Sequence, residues 1–192
     1  METFIINVVG GPGVGKSLIA ALIFAQLKLN GQNVEYIPEY AKKLVWLREF
    51  DTLNNQHYVS SRQFKLMKSM VGNVKFIVTD GSLLHGLYYN RYNLSNTSDK
   101  QITESKIIEY YNTFNNINIY LLRGDYKYEQ AGRIQSEFEA REVDTILLDI
   151  LKSYKIPCIM YKSDPDNIND ITNKILSTSE AAISTNNTDT FK

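Results

Sequence analysis

Short apolar runs alternate along this chain with segments that repeat their apolar positions at helical spacing. The runs are rich in β-branched residues and do not alternate strictly with polar ones, which is typical of strands covered on both faces. Strands that alternate with helices predict an α/β fold with a parallel sheet. We predict five strands flanked by helices, at residues 4–9, 34–37, 75–79, 117–122 and 157–161.

Helical periodicity fills the stretches between the predicted strands and continues after the last one. From Ser177 onward the chain is rich in Ser, Thr and Asn, so burial cannot offset the entropy lost on ordering it. The sequence therefore predicts one domain, residues 1–176, followed by a disordered polar tail, residues 177–192. The predicted helices are residues 17–29, 40–48, 56–71, 103–114, 143–154 and 168–176, with a polar surface loop at 94–101.

Composition and charge exclude some classes of protein. The 192 residues contain 21 Lys and Arg against 21 Asp and Glu, so the chain lacks the basic excess of a non-specific nucleic-acid binder. Cys158 has no second cysteine to pair with, and two histidines beside it do not make a zinc site. No apolar stretch is long enough to span a bilayer. We expect a cytoplasmic protein; abundant Asn, Ile, Lys and Tyr are typical of AT-rich genomes such as those of many phages, for which the location would be the host cytoplasm.

One glycine-rich segment carries a complete phosphate-binding motif. Residues 10–17 match G-x-x-x-x-G-K-[ST] and stand between a predicted strand and a predicted helix, as this motif requires. Backbone N–H groups and the helix N-terminus would hold phosphates, Lys16 would reach the β- and γ-phosphates, and Ser17 would ligate Mg²⁺. The alternative is a turn that only connects strand to helix. The predicted nucleotide-binding residues are Gly10, Gly11, Pro12, Gly13, Val14, Gly15, Lys16 and Ser17.

Asp80 ends the third predicted strand, at the edge of the sheet where ligands bind. Its carboxylate can support Mg²⁺ through water. The next residue is Gly81, whereas motor ATPases usually carry a water-activating Glu there, and no N-K-x-D motif for guanine occurs. Transfer of a phosphoryl group to an acceptor other than water is therefore favoured.

Glu39 follows the second predicted strand and is a candidate general base. Pro38 would end the strand and set the direction of the chain, which would bring Glu39 to the same edge of the sheet. Glu39 could instead be a favourable acid in the first turn of the next helix. Asp80 competes for the role of base, and spacing does not separate the two carboxylates.

A charged segment after the fourth predicted strand, residues 122–141, predicts a short mobile lid. Arg133 stands beside Gly132 and would neutralise charge on the transferred phosphate, with Arg141 as a second candidate. Arg141 could instead pair with Glu137 four residues earlier on an exposed helix face.

Candidates for acceptor binding come from two segments. Arg62 belongs to a short basic stripe, and the amide of Gln63 could read a base. Tyr88 could stack on a base and Arg91 could bind a phosphate. A solvated helix face for the stripe and core packing for a tyrosine are the alternatives.

The chain from residue 3 to 176 resembles the nucleoside and nucleotide kinase branch of P-loop proteins, which includes the thymidylate kinases. Residues 38–41, Pro-Glu-Tyr-Ala, resemble the motif whose Glu is the base in deoxynucleoside kinases, and the E-Y-A motif of NadR-type nicotinamide riboside kinases. Residues 79–82 are similar to the acidic-Arg-Ser motif of these kinases but have Gly81 in place of Arg. The resemblance places Gln63 roughly where deoxynucleoside kinases have a base-reading Gln.

The chain is also similar to phage kinases that act on 5-hydroxymethyluracil in DNA, through its size and through residues 132–135 and 139–144. These resemblances imply a kinase that uses ATP and Mg²⁺ and has Lys16, Glu39, Asp80 and Arg133 as catalytic residues. The acceptor they favour is the 5-hydroxymethyl group in phage DNA. A small nucleoside, nucleotide or nicotinamide riboside is the alternative acceptor, and a non-catalytic nucleotide-dependent switch is the alternative class.

Overall fold

The computed structural model describes residues 1–124, 127–131 and 134–189. A parallel sheet of five strands lies at the centre, with the order β2-β3-β1-β4-β5. This confirms the predicted fold class, and each strand lies within two residues of its predicted position. The strands are β1 (Phe4–Val9), β2 (Val34–Ile37), β3 (Phe76–Thr79), β4 (Asn115–Leu122) and β5 (Ile159–Lys162).

Helices cover both faces of the sheet. The helices of the described residues are α1 (Lys16–Leu29), α2 (Tyr40–Leu47), α3 (Phe50–Leu53), α4 (Gln56–Lys68), α5 (His85–Tyr92), α6 (Lys100–Asn112), α7 (Glu137–Ser153) and α8 (Ile168–Asp189), with a 3₁₀ turn at Pro165–Asn167. Within these ranges, no helix is both long and apolar enough to cross a membrane.

The two faces of the sheet bury separate apolar clusters. Alternate residues of β1 point to opposite sides, so Ile6 packs with α1 and α8 whereas Ile5 packs with α4 to α7. Both isoleucines are fully buried. Because each strand is covered on both faces, the carboxyl edge of the sheet remains as the place for a site.

The structure differs from the sequence prediction at the carboxyl-terminal end. The last helix does not end near Leu176 but continues to Asp189, through most of the segment predicted as a disordered tail. Ala182 and Ile183 pack against the cluster of α1 and α8, and Ser179 is buried. The contacts of Ala182 and Ile183 with this cluster therefore stabilise the helix beyond the predicted boundary.

Two further differences concern the start of α7 and the presence of α5. Helix α7 begins six residues earlier than predicted because Ser136 and Glu139 form a reciprocal capping box. Helix α5 was not predicted at all, although it forms one wall of the site described next.

Candidate active site

The glycine-rich segment forms a loop from the end of β1 to the first turn of α1, the context that the motif requires. Gly13 and Gly15 have φ values of 74° and 94°, a left-handed conformation that favours glycine. The N-terminus of α1 starts at Lys16, and Gly15 caps it without any side-chain hydrogen bond. The backbone N–H groups of this turn remain suited to bind an anion.

Lys16 lies among carboxylates at the edge of the sheet. Its ammonium donates a hydrogen bond of 2.9 Å to the Gly11 carbonyl oxygen. Burial lowers the pKa of Lys16, while the negative charges of Glu39, Asp80 and Asp144 act in the opposite direction. The site therefore combines one buried cation with three nearby acids.

Asp80 joins the start of α1 to the end of β2. Its Oδ2 accepts a hydrogen bond of 2.5 Å from the Ser17 hydroxyl, and its Oδ1 accepts one of 3.0 Å from the Glu39 N–H. Asp80 is buried. Burial raises the pKa of the Tyr36 phenol, and the charge of Asp80 beside it adds to that effect.

Ser17 and Asp80 suit a magnesium ion that is bound mainly by a nucleotide. Mg²⁺ in such sites takes one or two protein oxygens and completes its octahedron with phosphates and water. A hydroxyl and a carboxylate in mutual contact provide those oxygens. In the described part of the chain, no group of three or more His, Cys, Asp or Glu could hold a metal by itself, so phosphate oxygens would be needed.

The Glu39 side chain lies in the cavity lining and does not cap the helix that follows. Glu39 is the N-cap residue of α2, and its carboxylate makes no capping hydrogen bond. Burial raises the pKa of this carboxyl; Lys16 opposes the shift, and Asp80 adds to it. Among the described residues, the Glu39 carboxylate neither caps a helix nor forms an ion pair, so it can accept a proton. This favours the role of base over that of a helix-stabilising acid.

Gly81 leaves no room for a side chain. A Cβ atom there would lie 2.5 Å from the Glu39 Cα and 3.0 Å from the Gln63 Nε2. The arginine that the related motif carries at this position cannot be accommodated beside this β2–α2 turn. The close approach of two backbones thus explains the departure from the motif.

A cavity of about 1110 Å³ extends from the phosphate loop across α2 and α3 to α5. The lining residues contributed by α3, the start of α4, α5 and residues 93–95 are all uncharged. They are Phe50, Leu53, Asn54, Gln56, Tyr88, Tyr89, Tyr92, Asn93, Leu94 and Ser95. The remaining lining is Pro12, Gly13, Gly15, Lys16, Ser17, Leu18, Glu39, Ala41, Lys42, Val45, Lys127, Glu129, Ile134, Gln135, Glu139 and Glu142.

The structure brings only Tyr88 of the four predicted acceptor residues to this cavity. The Gln63 amide oxygen instead accepts the Tyr40 N–H at 2.9 Å, and its NH₂ group faces Pro38 and Thr79. Gln63 is buried outside the lining and fixes the turn that carries Glu39.

The two predicted acceptor arginines point elsewhere. Arg62 lies over the Tyr40 ring, 6.0 Å from its centroid. Arg91 makes two hydrogen bonds to Glu104, of 2.8 and 2.6 Å, and contacts Tyr154. Neither lines the cavity.

Of the two predicted lid arginines, Arg133 lies outside the described residues. Arg141 pairs with Glu137 at 2.8 Å on an exposed face of α7, which is the alternative that the spacing left open.

Three residues that were not among the predicted site residues hold the phosphate loop. His85 Nε2 accepts a hydrogen bond of 3.4 Å from the Gly10 N–H, and Asp144 Oδ1 accepts one of 2.9 Å from the Gly11 N–H. Arg123 donates to the Pro12 carbonyl oxygen at 2.7 Å. Burial holds the pKa of His85 well below its usual value, so the imidazole is neutral and can accept the Gly10 N–H. Each partner is distant in sequence, and no local pattern marks it.

The sheet order and the loop between β1 and α1 define a P-loop protein with the fold of nucleoside and nucleotide kinases. The chain belongs to the AAA_28 family, described as an AAA domain, whose family model matches residues 5–167. A comparison with curated proteins finds no match. The predicted resemblance to the kinase branch is thus confirmed for the fold.

Solved structures with this fold include two of deoxyadenosine kinase from M. mycoides. The one with bound dATP has a TM-score of 0.56 and 21% identity, and covers 89% of this chain and 98% of that one. The one with the products dCMP and a flexible dCDP has a TM-score of 0.55 and 21% identity, and covers 90% and 99%. Thymidylate kinase from Candida albicans has a TM-score of 0.52 and 16% identity, and covers 94% and 92%. These identities establish a shared fold.

Proposed function

We propose that this protein is an ATP-dependent kinase that transfers the γ-phosphate to a hydroxyl of a nucleoside-type acceptor that carries no phosphate. The observation that carries the proposal is the cavity itself. Its lining combines the phosphate loop and Glu39 with uncharged residues of α3, α4 and α5 that include three tyrosines. The nucleoside and nucleotide kinases of the same fold support the reaction class.

On the donor side, the loop N–H groups and Lys16 bind the β- and γ-phosphates and stabilise the charge that develops on their oxygens. Mg²⁺, when bound with the nucleotide near Ser17 and Asp80, would neutralise phosphate charge. Asp80 holds the Ser17 hydroxyl and the Glu39 backbone at fixed positions through its two oxygens. Because both Asp80 oxygens hold neighbouring groups and Glu39, unlike Asp80, is among the residues that line the cavity, we assign Asp80 a positioning role and Glu39 the role of base.

On the acceptor side, Glu39 takes the proton of the attacking hydroxyl. The hydroxyl oxygen forms a bond to the γ-phosphorus, the bond to the β-phosphate oxygen breaks, and ADP leaves. The raised pKa of Glu39 improves its match to a proton that is released only as the new bond forms.

The charges of the lining favour an acceptor without phosphate. A nucleoside monophosphate would need a cation for its phosphate, and the lining residues of α3, α4 and α5 contribute none. The lysines that line the cavity besides Lys16 are Lys42 of α2 and Lys127. Duplex DNA in this cavity would bring phosphodiesters near the carboxylates of the lining residues Glu129, Glu139 and Glu142. The comparisons do not support the DNA acceptor that the sequence favoured, and we therefore place a free nucleoside first.

A second acceptor, nicotinamide riboside, is favoured by the surroundings of Tyr88. The charges of Glu142 and Glu139 act on Tyr88, whose ring stacks on Tyr92 with the centroids 5.1 Å apart. Aromatic faces backed by carboxylates attract a positively charged ring such as a pyridinium.

The test is transfer of labelled γ-phosphate from ATP, with Mg²⁺, to a panel of acceptors. The panel contains nucleosides, nucleoside monophosphates, nicotinamide riboside, and DNA with and without 5-hydroxymethyluracil. We expect label in a nucleoside or in nicotinamide riboside. Label only in monophosphates or only in hydroxymethylated DNA would overturn the acceptor class, and ATP binding without any labelled acceptor would favour the switch.

The same assay with Glu39→Gln tests the base. Loss of a general base should lower kcat by about 10²- to 10⁴-fold while the Kd for ATP stays unchanged. Glu35→Gln is the matched control, because Glu35 is an exposed carboxylate of β2, the strand that precedes Glu39, and its ion pair among the described residues is with Lys28, at 3.7 Å. Transfer by Glu39→Gln at the wild-type rate would rule out this base.

A further inference from the structure

The start of the phosphate loop is held from the side of α7 by an ion pair. Asp144 of α7 accepts the Gly11 N–H at 2.9 Å and also accepts from Arg123 Nε. The Arg123 Nη2 donates to the Pro12 carbonyl oxygen at 2.7 Å and to the Ala140 carbonyl oxygen at 2.9 Å. One pair of side chains thus ties the loop, the end of β4 and the backbone of α7 together.

Gly11 lies directly between this ion pair and Lys16. Its N–H donates to Asp144, and its carbonyl oxygen accepts from the Lys16 ammonium at 2.9 Å. A Cβ at this position would lie 2.2 Å from the Asp144 Oδ1 and 2.8 Å from the Ala140 carbonyl oxygen. Glycine is therefore required here by the approach of α7, in addition to any requirement of a phosphate.

The pair is shielded from water, unlike the other ion pairs of α7. The side chains of Arg123 and Asp144 are 15% and 22% exposed, whereas those of Arg141 and Glu137 are 61% and 51% exposed. Burial tends to raise the pKa of Asp144, and the Arg123 guanidinium and the Gly11 N–H oppose this. Shielded, hydrogen-bonded charges fix geometry far more firmly than exposed ones do.

We propose that Asp144, held by Arg123, is a positioning residue that keeps Gly11 and Pro12 in the conformation that binds the nucleotide. Asp144 acts through the Gly11 peptide group on the phosphate loop and on Lys16. It is not among the described residues that line the cavity, whereas Glu39 is. This inference rests on the proposed binding of a triphosphate at the loop.

The first experiment measures the Kd for ATP without any acceptor, in the full chain, for wild type, Asp144→Ala and Asp144→Asn. Loss of a charge-assisted hydrogen bond should weaken ATP binding by about 10- to 100-fold in Asp144→Ala. Asp144→Asn keeps an oxygen that can accept the Gly11 N–H, so it should bind ATP more tightly than Asp144→Ala. Asp149→Asn is the control, because Asp149 is exposed on the same helix and forms an exposed ion pair with Lys152.

A second readout separates positioning from simple loss of stability. KM for ATP should rise in Asp144→Ala while KM for the acceptor stays unchanged, whereas a loss of folded protein would lower activity without changing either KM. Hydrogen exchange of the loop amides in the free protein should become faster in Asp144→Ala and remain unchanged in Asp149→Asn. Should Asp144→Ala not fold, the comparison of Asp144→Asn with Asp149→Asn carries the same test.

An unchanged Kd for ATP together with unchanged exchange at the loop would overturn the inference, and so would a lower Tm with both values of KM unaltered. If the wild-type chain bound no ATP, the proposed function would fail. In that case, hydrogen exchange of the loop amides in Asp144→Ala and Asp149→Asn would by itself show whether Asp144 holds Gly11.

Discussion

Replacing Gly81 by Ala should displace the candidate base without removing any functional group. The new Cβ would lie 2.5 Å from the Glu39 Cα, while ordinary contacts begin at 3.4 Å, so one backbone has to move by about 0.9 Å. Asp80, the neighbour of Gly81, also holds the Glu39 N–H at 3.0 Å, so a shift of either backbone changes the position of Glu39 relative to Asp80.

The expected loss of rate follows from this displacement. A catalytic group that is misplaced by about 1 Å can cost on the order of 10²-fold in rate. We therefore expect kcat of Gly81→Ala to fall by about that factor, with the Kd for ATP unchanged, because the phosphate loop makes no contact with the new methyl group. The assay is phosphate transfer at saturating ATP and acceptor, with Kd for ATP measured separately.

Gly72→Ala provides a control matched for loss of stability. A Cβ at Gly72 meets nothing within 4 Å, but its φ of +86° makes alanine strained, at a cost of about 1–2 kcal/mol. Both variants should unfold at lower denaturant concentration, and only Gly81→Ala should lose kcat. Wild-type kcat in Gly81→Ala would refute the reasoning, as would an equal loss of kcat in the two variants.

Two further predictions concern charge. Because burial raises the pKa of Glu39 and the base must be ionised, kcat/KM for the acceptor should increase with pH through that raised pKa, and Glu39→Gln should lack this increase in a pH–rate profile. Glu104→Gln should lower the free energy of unfolding by about 1–2 kcal/mol in urea at neutral pH, since it removes a partly buried partner of Arg91, and should leave phosphate transfer unchanged. The Arg91 guanidinium lowers the pKa of Glu104, so this stabilisation is present above the pKa of an unfolded Glu and is lost as pH falls through the lower folded value. If the stability of the wild-type protein did not decline over that acidic range, the stabilising role of the Arg91–Glu104 pair would be contradicted.

Features encoded within a few neighbouring residues could be predicted from the sequence. The five strands follow from apolar runs, and the position of residues 10–17 between β1 and α1 follows from the motif. Helix α5 could not be predicted in this way. Its buried positions include His85 and Asn90, polar residues whose burial depends on partners elsewhere, such as the Gly10 N–H and the Lys100 carbonyl oxygen.

The direction of individual side chains was the weakest part of the sequence prediction. Gln63 was expected at the acceptor, but its amide oxygen meets the Tyr40 N–H, which lies 23 positions away. Arg91 was expected at a phosphate, but it meets Glu104 on the next helix. The residue type determines which hydrogen bonds and ion pairs a side chain can form. Which partner lies within reach depends on how the helices pack.

The same reasoning explains why the phosphate-binding motif did not reveal the steric requirement for glycine at position 11. The motif leaves position 11 open, so it gives no reason for a glycine there, and nothing else in the sequence suggests one. Its partner Asp144 lies 133 positions away, at the place where α7 passes the loop. A family member with a side chain at position 11 would therefore need a smaller residue or a shifted helix at position 144. Joint change at these two positions, if found in relatives, would be a consequence of this contact, because either residue alone fixes the space left for the other.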